Sequence, residues 1–108
     1  MEQPTLKQLS VAVMQQAKEK GFGMLPEEIN VGEKIALIHT EISEAYQAYR
    51  HKKMHGKDGF AEEMGDAIQR ILHLCGALDI DVGEAILEKL DYNNVRKWDW
   101  EKMNEQHS

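Results

Sequence analysis

The segment EKIALIHTEISEAYQAYRHKK, residues 33–53, has the clearest helical pattern in the chain. Its apolar side chains recur in steps of three, four, three and four residues, as on one face of an amphipathic helix. They are Ile35, Ile38, Ile42, Ala45 and Tyr49. No proline follows Pro26, and β-branched and aromatic residues do not alternate as they do in strands. The sequence therefore predicts an all-α protein.

Three more helices are predicted around this segment. Thr5 and Gln8 form a capping box that starts the first helix, and Asp81 with Glu84 forms an Asp version that starts the fourth. The four predicted helices cover residues 5–20, 33–53, 60–78 and 81–98. On the third helix, the expected core positions are Met64, Ala67, Ile71, Leu74, Cys75 and Leu78. Short connections favour a four-helix bundle-like fold of one domain, residues 1–108.

Length and composition restrict the classes of function. A chain of 108 residues buries only a modest core by itself, so completion by oligomerisation is expected. The net charge is −6 and no basic face is evident, which argues against a nucleic-acid polymer as partner. The lone Cys75 argues against a secreted disulfide scaffold. Without a signal peptide or an apolar span, no membrane association and a cytoplasmic location are expected.

Two pairs of acidic residues are spaced so that each pair shares a helical face. Glu41 and Glu44 are three residues apart on the second helix, and Glu63 and Asp66 are three apart on the third. Each acid directly precedes an expected core residue. If the two helices form an antiparallel hairpin, the four carboxylates converge at the edge of the seam. A solvated charged face is the alternative, since acidic side chains are normally exposed.

The chemistry of these four groups indicates which metal they suit. Carboxylates are hard oxygen donors, which favour Mg²⁺, with Mn²⁺ as a possible substitute, over Zn²⁺. A di-iron bundle uses Glu-x-x-His pairs, and the chain contains none. The sequence thus leaves two interpretations open, a magnesium site and a solvated acidic surface.

The predicted fourth helix has a stripe that begins apolar and becomes cationic. Val82 and Ile86 are followed on the same face by Lys89, Asn93 and Arg96. A stripe of this kind suits a pocket for an anionic ligand opposite the carboxylates. It also suits a helix end that leaves the core, with cations placed favourably on the helix dipole.

Aromatic residues and one histidine are further candidates for contact with a ligand. Phe22, in the loop after the first helix, is either packed on the core or stacked on a base. His39 is either a packed or surface histidine or a base contact. Trp98 and Trp100 either cover a base or pack on another subunit.

Three motifs together resemble the MazG-like nucleotide pyrophosphohydrolases. LIHTEISEA, residues 37–45, resembles the first metal motif of that family, and EEMGD, residues 62–66, resembles its Glu-x-x-Asp motif. KLDYNNVR, residues 89–96, resembles the closing Lys-x-x-x-Asn-x-x-Arg, and Lys20 to Phe22 looks like the end of the first helix in one subgroup. The resemblance extends from about Leu6 to Arg96. After Arg96 the chain departs from the subgroup, which continues with proline, an aromatic residue and a glycine-rich tail.

The resemblance implies an all-α enzyme with two or more Mg²⁺ ions at the four carboxylates. It implies hydrolysis of a nucleoside triphosphate between the α- and β-phosphates, giving a nucleoside monophosphate and pyrophosphate. Lys89, Asn93 and Arg96 would contact the substrate, as would His39 and Phe22. A homodimer or homotetramer is also implied. The alternatives are a phosphoribosyl-ATP pyrophosphohydrolase, a non-catalytic helical partner protein, and a degenerate enzyme that binds nucleotides without turnover.

Overall fold

The computed structural model describes residues 2–95, and these form an all-helical, bundle-like protein. Four α-helices are present in that range: α1 (Leu6–Lys20), α2 (Val31–Arg50), α3 (Phe60–Ala77) and α4 (Val82–Val95). One turn of 3₁₀ helix, Pro26–Glu28, lies in the connection between α1 and α2. The predicted all-α class is confirmed. No helix in the described range is long and apolar enough to cross a membrane.

The capping signals account for most helix starts. Thr5 and Gln8 form both hydrogen bonds of the predicted capping box, at 3.1 and 2.8 Å. The Asp81 carboxylate accepts from the N–H of Glu84 at 3.0 Å, as expected at the start of α4. The predicted start of α2 was two residues late, because the Asn30 side chain caps the helix by accepting from the N–H of Glu33.

The centre of the fold is a hairpin of α2 and α3, with α1 packed against α3. Glu41 contacts Arg70 and Glu44 contacts Glu63, so the two helices of the hairpin run antiparallel. Small residues dominate the buried apolar core, which consists of Ala17, Ile38, Ala45, Ala48, Ala67, Leu72, Leu74 and Ala77. Gly76 contributes to the α1–α3 contact, because a Cβ at that position would collide with Met14.

Part of the predicted core was wrong. Ile35, Ile42 and Tyr49 of α2 are 42%, 47% and 57% exposed, and Met64 of α3 is 38% exposed. The reason is that the apolar stripe of α2 is wider than its contact with α3, and only the edge with Ile38, Ala45 and Ala48 is buried. The edge with Ile35, Ile42 and Tyr49 remains open to solvent in the single chain.

Helix α4 also differs from the expectation. None of its described residues is buried, so the predicted inward stripe does not face a core within the chain. Ile86 and Leu90 are 46% and 52% exposed. Contact with the body is made near the start of α4, where Gly83 lies against Leu6. The hairpin of α2 and α3, with α1 against α3, is therefore the packed part of this bundle-like fold, and α4 adjoins it near its start.

Candidate metal centre

The acidic side chains of α2 and α3 converge at the edge of the hairpin seam. One carboxylate oxygen from each of Glu41, Glu63 and Asp66 lies within 4.8 Å of the others. Glu44 adjoins the group through a carboxyl–carboxyl contact with Glu63. We refer to these four residues as the acidic cluster. The convergence expected from the two i, i+3 pairs is present, because both pairs flank the seam on the same side of their helices.

Glu63 is the most enclosed member of the acidic cluster. It is 6% exposed, and its Oε2 atom is buried without a hydrogen-bond partner among the described residues. Its pKa is raised from 4.5 to about 7, first by a hydrogen bond between its carboxyl group and that of Glu44, then by burial and by Glu41. Burying a carboxylate oxygen without a hydrogen-bond donor costs free energy. Either protonation of Glu63 or a cation beside Oε2 would remove that cost.

Asp66 and Glu41, whose oxygens lie within 4.8 Å of Glu63, have different surroundings. Burial is the main cause that raises the pKa of Asp66, followed by the charges of Glu41 and Glu62, and Arg70 opposes the shift. Arg70 Nε donates to Glu41 Oε1 at 3.0 Å, and the Glu41 side chain is only 12% exposed. This ion pair fixes one oxygen of Glu41. Within residues 2–95, Arg70 is the one cation that forms an ion pair with the acidic cluster, so the cluster keeps an excess of negative charge.

The donor set fits Mg²⁺ or Mn²⁺. All four groups offer carboxylate oxygens, and neither sulfur nor imidazole belongs to the acidic cluster. The oxygens of three groups are close enough to share one cation. A bound cation would also give the buried Glu63 Oε2 the partner that it lacks. Zn²⁺ fits less well, since protein zinc sites are usually rich in sulfur and nitrogen ligands.

A second acidic group at the start of α3 was not singled out from the sequence. Oxygens of Asp58, Glu62 and Glu63 lie within 4.8 Å of one another, but Asp58 and Glu62 are exposed. Acids in a first helical turn are favoured by the helix dipole. That preference explains Asp58 and Glu62 without a ligand.

Two open clefts adjoin the acidic cluster, one on each side. The first, here called the polar cleft, has a volume of about 750 Å³ and contains Glu44 and Glu63. The second, here called the loop cleft, has a volume of about 410 Å³ and contains Glu41 and Asp66. A ligand in either cleft can therefore reach the carboxylates.

His39 and Phe22 lie in different clefts. His39 is exposed and lines the polar cleft with Thr40 and Lys53. Phe22 is 50% exposed and lines the loop cleft. Both positions allow contact with a ligand bound beside the acidic cluster, and Phe22 is not tucked into the core.

The cationic residues of the predicted fourth helix are not brought to the acidic cluster within the chain. Lys89 and Asn93 are exposed, and neither lines a cleft beside the carboxylates. The Lys89 ammonium lies 4.7 Å from the centre of the Tyr92 ring. The expected contacts of Arg96, Trp98 and Trp100 with substrate or with another subunit are not described, because these three residues lie outside the described range.

Sequence reasoning missed one polar face of α3. Gln69, Arg70 and His73 follow Asp66 by three, four and seven residues and line the loop cleft with it. His73 is 8% exposed, and its Nε2–H donates to the carbonyl oxygen of Gly23 at 2.8 Å. Helical spacing from Asp66 was the available signal, since these offsets share its face.

Comparisons with known proteins give no assignment, because no family model, no curated protein and no solved structure matches this chain.

Proposed function

We propose that this chain hydrolyses a nucleoside triphosphate between its α- and β-phosphates, with Mg²⁺ held by Glu41, Glu44, Glu63 and Asp66. Mn²⁺ is the expected substitute, because it accepts the same oxygen donors. The observation that carries the proposal is the acidic cluster, with three carboxylate oxygens within 4.8 Å and the buried, unpartnered Oε2 of Glu63. The motifs at residues 37–45, 62–66 and 89–96 resemble those of the MazG-like nucleotide pyrophosphohydrolases. This resemblance is the reason for proposing hydrolysis between the α- and β-phosphates.

The metal and the protein have separate tasks in this reaction. When bound, Mg²⁺ supplies a water of lowered pKa and neutralises phosphate oxygens. Glu41 is the proposed general base. Its Oε1 accepts from Arg70, and the remaining lone pairs of the carboxylate would serve both the metal and the proton of the attacking water. Arg70 holds Glu41 in position for that transfer. The products are a nucleoside monophosphate and pyrophosphate.

The proposed phosphate contacts come from α4 and its continuation. Lys89 and Arg96 are assigned to the β- and γ-phosphates, where their charge stabilises the leaving pyrophosphate, and Asn93 is assigned a hydrogen bond to sugar or phosphate. Because Lys89 and Asn93 line neither cleft beside the carboxylates, the proposal brings them to the acidic cluster through an assembly of several chains.

A homodimer or homotetramer is therefore part of the same proposal. Its support is the open apolar face of α2, with Ile35, Ile42 and Tyr49, and the exposed Ile86 and Leu90 of α4. Burying such residues against a second copy removes apolar surface from water. We place the protein in the cytoplasm, where nucleoside triphosphates and Mg²⁺ are plentiful.

The direct test is product analysis with a panel of the common ribo- and deoxyribonucleoside triphosphates. Each is incubated with Mg²⁺ or with EDTA, and the products are identified by ³¹P NMR. Equimolar monophosphate and pyrophosphate, formed with Mg²⁺ alone, are expected for at least one substrate. Orthophosphate with a diphosphate would contradict the proposed bond, and no turnover of any nucleotide would contradict the proposed activity.

A further inference from the structure

We propose that the loop cleft is the nucleobase subsite, in which Phe22 stacks on the base, Gln69 recognises its edge and His73 positions Phe22. This inference rests on the proposed hydrolysis of nucleotides and adds which end of the substrate lies on which side of the acidic cluster. A bound base in the loop cleft directs the pyrophosphate end of the substrate toward the polar cleft. The scissile bond then lies over the carboxylates.

The two clefts differ in the chemistry of their walls. Phe22 and His73 give the loop cleft two aromatic rings, whose centroids are 6.3 Å apart with planes inclined by 61°. A flat heterocycle can stack on one ring and meet the other at its edge. The polar cleft has hydroxyls of Thr40 and Ser43, the ammonium of Lys53 and the imidazoles of His39 and His51, but it contains no Phe, Tyr or Trp. Hydroxyl and ammonium donors suit phosphate oxygens.

The position of Phe22 is fixed by the backbone around it. The N–H of Phe22 donates to the carbonyl oxygen of Ala17 at 2.9 Å, which ties the residue to the end of α1. Gly23 has a φ of +96°, and a Cβ there would lie 2.8 Å from Ile29, so only glycine fits. The loop therefore presents a half-exposed phenyl ring at a defined place, as a stacking surface requires.

His73 connects this loop to α3. A carbonyl oxygen only accepts, so the bond between His73 Nε2 and Gly23 O requires the Nε2–H form of the ring. The buried imidazole holds Gly23 and lies against Phe22. His73 is thus a positioning residue, acting on the base through the loop.

Gln69 supplies recognition at the edge of the base. It is exposed, lines the loop cleft and lies one turn of α3 from both Asp66 and His73. No hydrogen bond to its side chain is formed within residues 2–95. A carboxamide offers both a donor and an acceptor, so it can discriminate bases by their hydrogen-bonding edges. The cleft volume of about 410 Å³ lies at the lower end of small-ligand pockets.

The experiment measures kcat and KM for each nucleotide with single variants of the full chain. Phe22→Ala is expected to lower kcat/KM by about ten- to a hundredfold for every base, mainly through KM, because stacking is lost. Phe22→Tyr keeps the stacking surface and should restore most of the loss. Gln69→Leu should change the ranking of the bases by roughly three- to tenfold. Gln15→Leu is the matched control, since Gln15 is exposed on α1 and lines neither cleft.

The positioning role of His73 is tested by measuring whether its substitution changes KM, kcat or both. His73→Leu should raise KM with kcat retained, and His73→Gln, which keeps an N–H donor, should recover part of the affinity. Lys53→Met, in the polar cleft, should affect all bases equally. A change in base ranking in Lys53→Met or His39→Ala would overturn the assignment, because the base would then lie in the polar cleft.

Binding of nucleoside monophosphates, followed by NMR without metal, separates the two proposals. If wild type hydrolyses nucleotides but Phe22→Ala and Gln69→Leu match it for every base, the inference fails and the proposed function stands. If nothing is hydrolysed but monophosphates bind in a manner that needs Phe22, the inference stands and the proposed function fails. Absence of both turnover and binding overturns both.

Discussion

The α2–α3 hairpin and helix α4 share an amphipathic sequence but differ in how far the chain itself packs them. The hairpin buries Ala45 of α2 and Ala67 of α3 and brings the carboxylates of both helices together. Helix α4 has no buried residue in its described range, and Leu87 is 64% exposed. A site formed within the hairpin needs only the local register of two helices, whereas a contribution from α4 needs contacts that the hairpin does not supply.

This difference separates the proposed metal ligands from the proposed phosphate ligands. Glu63 and Asp66 lie on α3 where it packs against α2, and Glu63 is buried there, so their positions are a property of the folded hairpin. Lys89 is exposed beside Tyr92, and its position follows a helix with little packing of its own. Variants in the two regions are therefore expected to differ both in stability and in activity.

The largest effect is expected from loss of a carboxylate in the hairpin. Glu63→Gln or Asp66→Asn should lower kcat by a hundredfold or more, because even residues behind a metal ligand contribute about ten- to a hundredfold. Stability should stay level or rise, since repulsion within the acidic cluster is relieved. Steady-state kinetics and thermal melting measure the two effects.

Glu19→Gln provides the control for those variants. Glu19 is an exposed acid on α1, and it belongs to neither acidic group. Its substitution should leave kcat and the melting temperature near wild type. A near wild-type kcat in Glu63→Gln or Asp66→Asn would remove that residue from the metal centre.

The packing contrast itself is tested by two leucine-to-alanine variants. Leu72→Ala removes a side chain that is 4% exposed and should cost about 2–5 kcal/mol in the free energy of unfolding. Leu87→Ala removes one that is 64% exposed and should cost less than about 0.5 kcal/mol. Urea denaturation at low protein concentration measures both. A large cost for Leu87→Ala would mean that α4 is packed in solution, against the hairpin or another copy.

Sequence periodicity predicted the helices and the shared face of each acidic pair, because both follow from spacing within one helix. The carboxylates then converge because α2 and α3 form the expected antiparallel hairpin. It failed for Ile35 and Ile42, since periodicity shows that a face is apolar but does not say how much of that face meets another helix. The α4 stripe failed for the same reason. His73 escaped notice because its partner is a backbone carbonyl of Gly23, fifty residues away in sequence.

A smaller effect is expected from the cation of α4. Lys89→Ala should lower kcat/KM by about ten- to a hundredfold, and equally for every base, because charge-assisted bonds to phosphate are worth roughly 1.5–3 kcal/mol. Lys18→Ala, an exposed lysine of α1, is the control. Unchanged kinetics in Lys89→Ala would restrict the site to the hairpin, and a change in base preference would place the cation beside the base.

The smallest effect concerns the pH dependence of the metal-free protein. Glu63 titrates near 4.5 when unfolded and its pKa is about 7 in the fold, so between these values the folded chain binds more protons. The free energy of unfolding should therefore fall as pH rises through this window. Glu63→Gln should reduce the slope, leaving the smaller part from Asp66, whose pKa is also raised. Melting curves in EDTA across this range test the sign, and an unchanged slope in Glu63→Gln would contradict it.

Thermal melting of wild type in Mg²⁺ and in EDTA, at matched ionic strength, tests the metal centre most directly. Binding to the folded state alone stabilises it by about 2.7 kcal/mol at a hundredfold excess over Kd, which raises Tm by several degrees. We predict this rise for wild type and its loss in Glu63→Gln. Identical wild-type midpoints with and without Mg²⁺ would contradict a metal site at Glu41, Glu44, Glu63 and Asp66.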